Sequence, residues 1–172
     1  MKNVYRLFLL TLLSAAFVVA CSDDDDSGTT PTDTEFVAEY SDFEGYESWE
    51  LVDESVGVDP GGNLSGAHEE ATAKRISRVN KTNIKMENGE WPVGTIIVKE
   101  MRNAETDDLM AVMAMAKRGA DFNPDHNGWE WFMLNVAEEK IEGQGADLMG
   151  GMCNGCHIKV KDNDYSFVLN NQ

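Results

Sequence analysis

Positive charge is scarce in this chain: 14 Lys and Arg stand against 31 Asp and Glu, a formal net charge of −17. No Lys or Arg occurs between Arg6 and Lys74. Nucleic acid, whose phosphates demand basic patches, is therefore not an expected partner. Cysteine is also rare, with three in 172 residues, which leaves little for a disulfide framework. There is no internal repeat, no Gly-rich loop to cradle a phosphate, and no Ser/His/Asp or paired-carboxylate arrangement that stands out from the acidic background. The apolar run from Leu7 to Val19, broken by Thr11 and Ser14, falls short of the about 20 residues that a membrane-spanning helix needs. What is present suffices for one folded domain: 42% of residues are apolar and 9% aromatic, too many for a wholly disordered chain.

The first residues read as an export leader. Lys2 and Arg6 give a basic start, the apolar run follows, and Val18-Val19-Ala20-Cys21 resembles a bacterial lipobox, in which small residues precede a cysteine that is lipidated and exposed by cleavage. Residues 1–20 are thus expected to be a signal peptide and Cys21 a lipidated N-terminus. Losing Lys2 and Arg6 with the leader makes the mature chain still more negative. Residues 21–34, including Asp23-Asp24-Asp25-Asp26, have almost nothing to bury and are expected to form a solvated tether. The acidic run after the cysteine resembles the surface-export signal of Bacteroidota lipoproteins; a mere spacer is the alternative. The expected location is the outer membrane, at its periplasmic face or at the cell surface.

Residues 35–172 form the expected domain. Phe36 to Tyr46 suggests a short helix, and Trp49 to Val52 the start of a strand. Asp59 to Asn63 reads as a loop. Lys74 to Val79 alternates as a strand does, Asn88-Gly89 signals a tight turn, and Thr95 to Met101 is the clearest strand, rich in β-branched residues. Asp107 to Ala116 is ambiguous: Leu, Met and Ala favour a helix, yet Met110, Val112 and Ala114 also fit a two-residue period. Sequence alone leans to the helix. Gly128 to Asn135 reads as a strand with aromatics on both faces, and Gly145 to His157 as a helix loosened by glycines.

Cys153-Asn154-Gly155-Cys156-His157 is the Cys-x-x-Cys-His pattern of haem c attachment. Two thiols one helical turn apart can add to the two vinyl groups of a single haem, while the adjacent histidine serves as the axial iron ligand. A redox Cys-x-x-Cys pair, or a zinc site completed by His68 or His126, is the competing reading. The first is expected beside a βαβ pattern, which is absent, and the second lacks a recognisable ligand spacing. Together with Cys21, the motif uses every cysteine.

From about Tyr46 onward the chain resembles the cytochrome P-460 / cytochrome c′-β family. The resemblance rests on Gly94 to Glu100, on Asn127 to Phe132, and on the haem motif followed by Asp164-Tyr165-Ser166-Phe167-Val168. It implies an α+β fold, mainly antiparallel β-sheet with flanking helices, in a homodimer holding one covalently bound, five-coordinate haem c. It also overrules the helix at Leu109 to Ala116 in favour of a strand. An open iron site implies a small nitrogen-containing or diatomic ligand: oxidation of hydroxylamine, with electrons passing to a redox partner protein, or binding of NO or CO without turnover. A methionine ligand would instead make an electron-transfer cytochrome, although most of the nine methionines read as core filler.

The resemblance assigns Lys99 as the residue that cross-links to the macrocycle in cytochrome P-460, and Asp147 as a match to a proton-transferring acid, with Leu148 competing for that alignment. Cofactor-binding residues are then Cys153, Cys156, His157 and Lys99, with His157 on the metal. Arg75 and Arg78 could pair with haem propionates, against the commoner solvent-facing reading. Trp129, Trp131 and Phe132 are candidates for the pocket wall or for the core, and His126 and His68 for the surface.

Overall fold

The computed structural model describes residues 35–57, 73–81, 89–119 and 121–168. The leader, Cys21, the acidic tether, the Asp59–Asn63 loop, His68, Met86 and Asn88 lie outside the described residues.

Hydrophobic alternation builds one antiparallel sheet. Its strands are β1 (Glu50–Val56), β2 (Ala73–Val79), β3 (Ile96–Asn103), β4 (Leu109–Lys117), β5 (Trp129–Asn135) and β6 (Lys140–Gly145). They lie in sequence order, each paired with the next. The turn into β3 is set by Gly94, whose φ of 82° suits the third position of a turn closed by Thr95 N–H donating to Pro92 O at 3.1 Å.

Strand period two sorts the side chains onto two faces. On one, Ile96, Val98, Val112, Ala114, Ala116, Phe132 and Leu134 pack with Ala38, Phe43 and Tyr46 from the N-terminal segment; the Phe43 and Phe132 rings lie 5.0 Å apart. On the other, Val79, Ile97, Met115, Trp129 and Trp131 pack with Trp91 and Val168, and Leu148, Cys153 and Tyr165 close over them. The second face therefore carries the haem motif.

The strands expected at Lys74–Val79, Thr95–Met101 and Gly128–Asn135 are present, and Asp107–Ala116 forms β4. Its helix-favouring composition is overridden because a strand between β3 and β5 buries both of its faces, which a helix there could not do. Helical content falls below expectation. Phe36–Tyr46 yields only the 3-10 turns Tyr40–Phe43 and Tyr46–Ser48, and Gly145–His157 yields α1 (Met152–His157) alone, followed by a 3-10 stretch at Ile158–Asn163. The reason is in the backbone: Met149, Gly150 and Gly151 all take positive φ, which stops a helix from starting earlier. Strand β6, with glycines at alternate positions, was not anticipated.

Candidate functional site

Strand order lays a polar-to-apolar gradient across the second face. A shift in β1–β2 pairing between Leu51 and Asp53 sets Asp53 opposite Ser77. Ser77 pairs with Lys99, and Lys99 with Met113. One row further along, Val79, Ile97, Met115 and Trp131 follow one another across β2 to β5. Over this gradient sits a cavity with about 1210 Å³ of free space, solvent at its mouth included. Its polar end holds Asp53, Ser55, Arg75, Ser77 and Lys99, and its apolar wall includes Ile97, Met113, Met115, Trp131 and Phe167. Cys153, Cys156 and His157 enter from α1 on the opposite side.

The motif residues are organised for ligation. Cys153 and Cys156 form no disulfide and are separated by one turn of α1. Burial pushes the Cys153 thiol above its ordinary 9.0, while a backbone hydrogen bond and the Lys99 charge pull it back. His157 Nδ1 lies 2.6 Å from the carbonyl of Tyr165. A carbonyl can only accept, so Nδ1 carries the proton and the lone pair is on Nε2, the tautomer an axial ligand requires. The ring contacts Trp131 at 4.5 Å and the edge of Phe167 at 5.1 Å. Trp131 is itself fixed by its Nε1–H, which donates to Asn154 Oδ1 at 2.7 Å, and Asn154 Nδ2 donates to Ala146 O. Asn154, one of the two residues between the cysteines, thus braces the wall against which His157 rests.

Behind the motif lies a buried charge cluster. Lys117 Nζ donates to both carboxylate oxygens of Asp164 at 2.8 Å, and Asn127 Nδ2 and the Trp91 backbone N–H donate to them at 2.7 Å. Burial lowers the Lys117 ammonium, and Asp164 raises it in opposition. Trp129 Nε1–H donates to the Asp164 carbonyl at 2.7 Å.

The cavity brings Lys99, Cys153, Cys156 and His157 together. Asp147 is exposed and absent from the lining; Leu148, its rival in the alignment, packs against the same apolar cluster as Cys153. Arg75 is only 2% exposed and lines the cavity, correcting the solvent-facing reading, with Nη1 donating to Gly57 O. Arg78 lies on the opposite face and donates to Trp49 O at 3.1 Å. Trp131 lines the cavity; Phe132 borders it while its ring packs on Phe43 at the opposite face, and Trp129 is fully buried. His126 is half-buried against Tyr165, not plainly at the surface. Asp53, Ser55, Ser77 and Lys117 carry no expected role in the sequence, and Asp164 and Tyr165 enter it only as part of a block that carries the family resemblance. For Ser77 the alternation with Ala73 and Val79 was a usable signal; for the Tyr165 carbonyl there was none.

The cavity opens an apolar wall to a flat aromatic group and presents one imidazole in the ligating tautomer. Among the described residues, no group of three or more His, Cys, Asp and Glu is arranged to hold a metal ion. The fold and site define a haem-binding protein built on an antiparallel sheet. Residues 43–168 match the family model described as Cytochrome P460, and the chain belongs to that family. No curated protein matches it.

Proposed function

We propose that this chain carries a single haem c, with thioethers from Cys153 and Cys156 and with His157 Nε2 on the iron, and that it oxidises hydroxylamine or a related small nitrogen species. The observation that carries this reading is the shared cavity in which the two thiols and His157 face Lys99. Each thiol adds its S–H across one vinyl group, a step that needs no oxidant. Bound haem would supply the redox centre. The protein's part is to hold Nδ1–H on the Tyr165 carbonyl, to exclude water with Ile97, Met115, Trp131 and Phe167, and to offer Lys99 as the amine that would bond to the macrocycle, a C–N bond replacing one N–H and one ring C–H with two protons released and two electrons passed to the redox partner protein. Conversion of two hydroxylamines to nitrous oxide and water releases four protons and four electrons, and a redox partner protein takes the electrons.

The apolar wall favours a second reading, a cytochrome c′-β-like NO or CO binder without turnover. Met113, Met115, Met149 and Met152 in the lining keep a six-coordinate electron-transfer cytochrome as a third. Ferric and ferrous absorption spectra of residues 22–172, matured with haem in an exporting host, separate the three. High-spin haem with a strongly red-shifted ferrous Soret band supports Lys99 cross-linking and hydroxylamine oxidation. High-spin haem without the shift supports gas binding, and a low-spin spectrum supports electron transfer.

The same reading gives Asp147 the proton-transfer role. Asp147→Asn is expected to slow hydroxylamine oxidation; an unchanged rate would move the role to Asp53, the one carboxylate among the described residues that lines the cavity. It also has the protein exported, lipidated at Cys21, anchored to the outer membrane and working as a homodimer. Its acidity supports a basic redox partner, with electron transfer that weakens as salt rises.

A further inference from the structure

The charge cluster behind His157 does more than binding a cofactor requires. The Asp164 side chain is 0% exposed, and it collects donors from Lys117 at the end of β4, from Asn127 just ahead of β5, and from the Trp91 backbone. Its carbonyl takes a further donor from Trp129 in β5. Such anchoring acts on an unusual stretch of backbone. Asp164 and Tyr165 sit at φ 48° and 59°, the left-handed region, which is strained for an ordinary residue and persists only where surroundings enforce it. The second of these strained residues is the one whose carbonyl receives His157 Nδ1–H at 2.6 Å.

We infer that the Lys117–Asp164 ion pair is a positioning device for the axial histidine: by locking the left-handed Asp164–Tyr165 turn, it aims the Tyr165 carbonyl at Nδ1 and so sets how strongly Nε2 donates to iron. The inference rests on the reading of His157 as the iron ligand. A short bond from Nδ1–H to a fixed acceptor makes the imidazole a stronger base at Nε2, and a stronger axial donor stabilises ferric over ferrous iron, lowering the potential. Lys117 and Asp164 are buried away from the cavity lining, so neither touches the ligand; they act through the backbone of Tyr165. A buried ion pair is weak grounds for stability, since apolar replacements of similar volume often fold as well or better.

The test uses holoprotein matured with haem, read by the iron–histidine stretching band of the ferrous state and by the midpoint potential. Asp164→Asn and Lys117→Met are each expected to shift the band to lower frequency and the potential upward, with haem content and sheet structure retained. Should either variant fail to fold, Asn127→Ala removes one donor to the Asp164 carboxylate and leaves both charges in place; shifts of the same sign are expected from it. A folded variant with unchanged band and potential overturns the inference. If instead the wild-type protein shows no iron–histidine band that His157→Gly abolishes, the ligation reading itself fails, and the inference falls with it.

Discussion

Lys99 and Cys153 approach the cavity from opposite sides, one on β3 and one on α1, and the lysine charge is felt at the thiol. In protein without haem, Lys99→Met should therefore raise the Cys153 thiol further and slow its alkylation by iodoacetamide near pH 8, because only the thiolate reacts. An unchanged rate at Cys153, followed by mass spectrometry, would separate the two groups. The chemistry-bearing residues were legible in sequence to the extent that they are local. Five consecutive positions, 153–157, announce themselves, because thioether spacing and the adjacent ligand are written in one helical turn. Arg75 was not legible in the same way. Its burial depends on β1 and β3 closing around it and on a cavity that needs polar groups at one end, information carried by residues far away in the chain. The Tyr165 carbonyl is a backbone atom, and no side-chain pattern can encode it.

At the scale of elements, the two faces of the sheet should respond separately. Phe43→Ala removes a ring that is 1% exposed and stacked on Phe132 on the face away from the haem motif. A loss of about 3–5 kcal/mol is expected from the cavity left behind, read as a lower denaturant midpoint, while the haem spectrum keeps its shape. Glu130 offers a second test. Burial holds its carboxyl above the ordinary 4.5, and the Arg118 guanidinium, at 3.2 Å, draws it part of the way back. A raised carboxyl binds its proton more tightly in the folded chain than in the unfolded one. Its contribution to stability is therefore complete below about pH 4.5 and is lost as pH rises through the folded-state value. Glu130→Gln has no proton to lose, so the Tm advantage of wild type over variant should shrink steadily on going upward from about pH 4.5. Strand β4 shows why composition misled at this scale: Leu, Met and Ala are helix formers in isolation, and only two flanking strands make a strand of them. The missed β6 is the converse case, since its glycines and charges carry little strand propensity and β5 supplies the pairing.

Among the described residues the domain is a sheet with a separate closing segment, residues 146–168, over one face. Protein that cannot attach haem, such as Cys153→Ala with Cys156→Ala, keeps the sheet but lacks the group proposed to fill the cavity. Amide hydrogen exchange should then be fast across residues 146–168 and still slow in β3, β4 and β5, with a lowered Tm. Uniform protection throughout the chain would mean that the closing segment is held by protein contacts alone. The wiring of the sheet bears on how such a molecule is made. Every strand pairs with its sequence neighbour, and β3–β4 and β5–β6 close across short turns, so assembly relies mainly on contacts near in sequence. The last strand ends at Gly145 and the first cysteine of the motif is Cys153. Synthesis from the N-terminus therefore completes the scaffold before residues 146–168 have to be buried, and the thiols proposed to hold the cofactor can be presented to it as an open flap on a finished sheet.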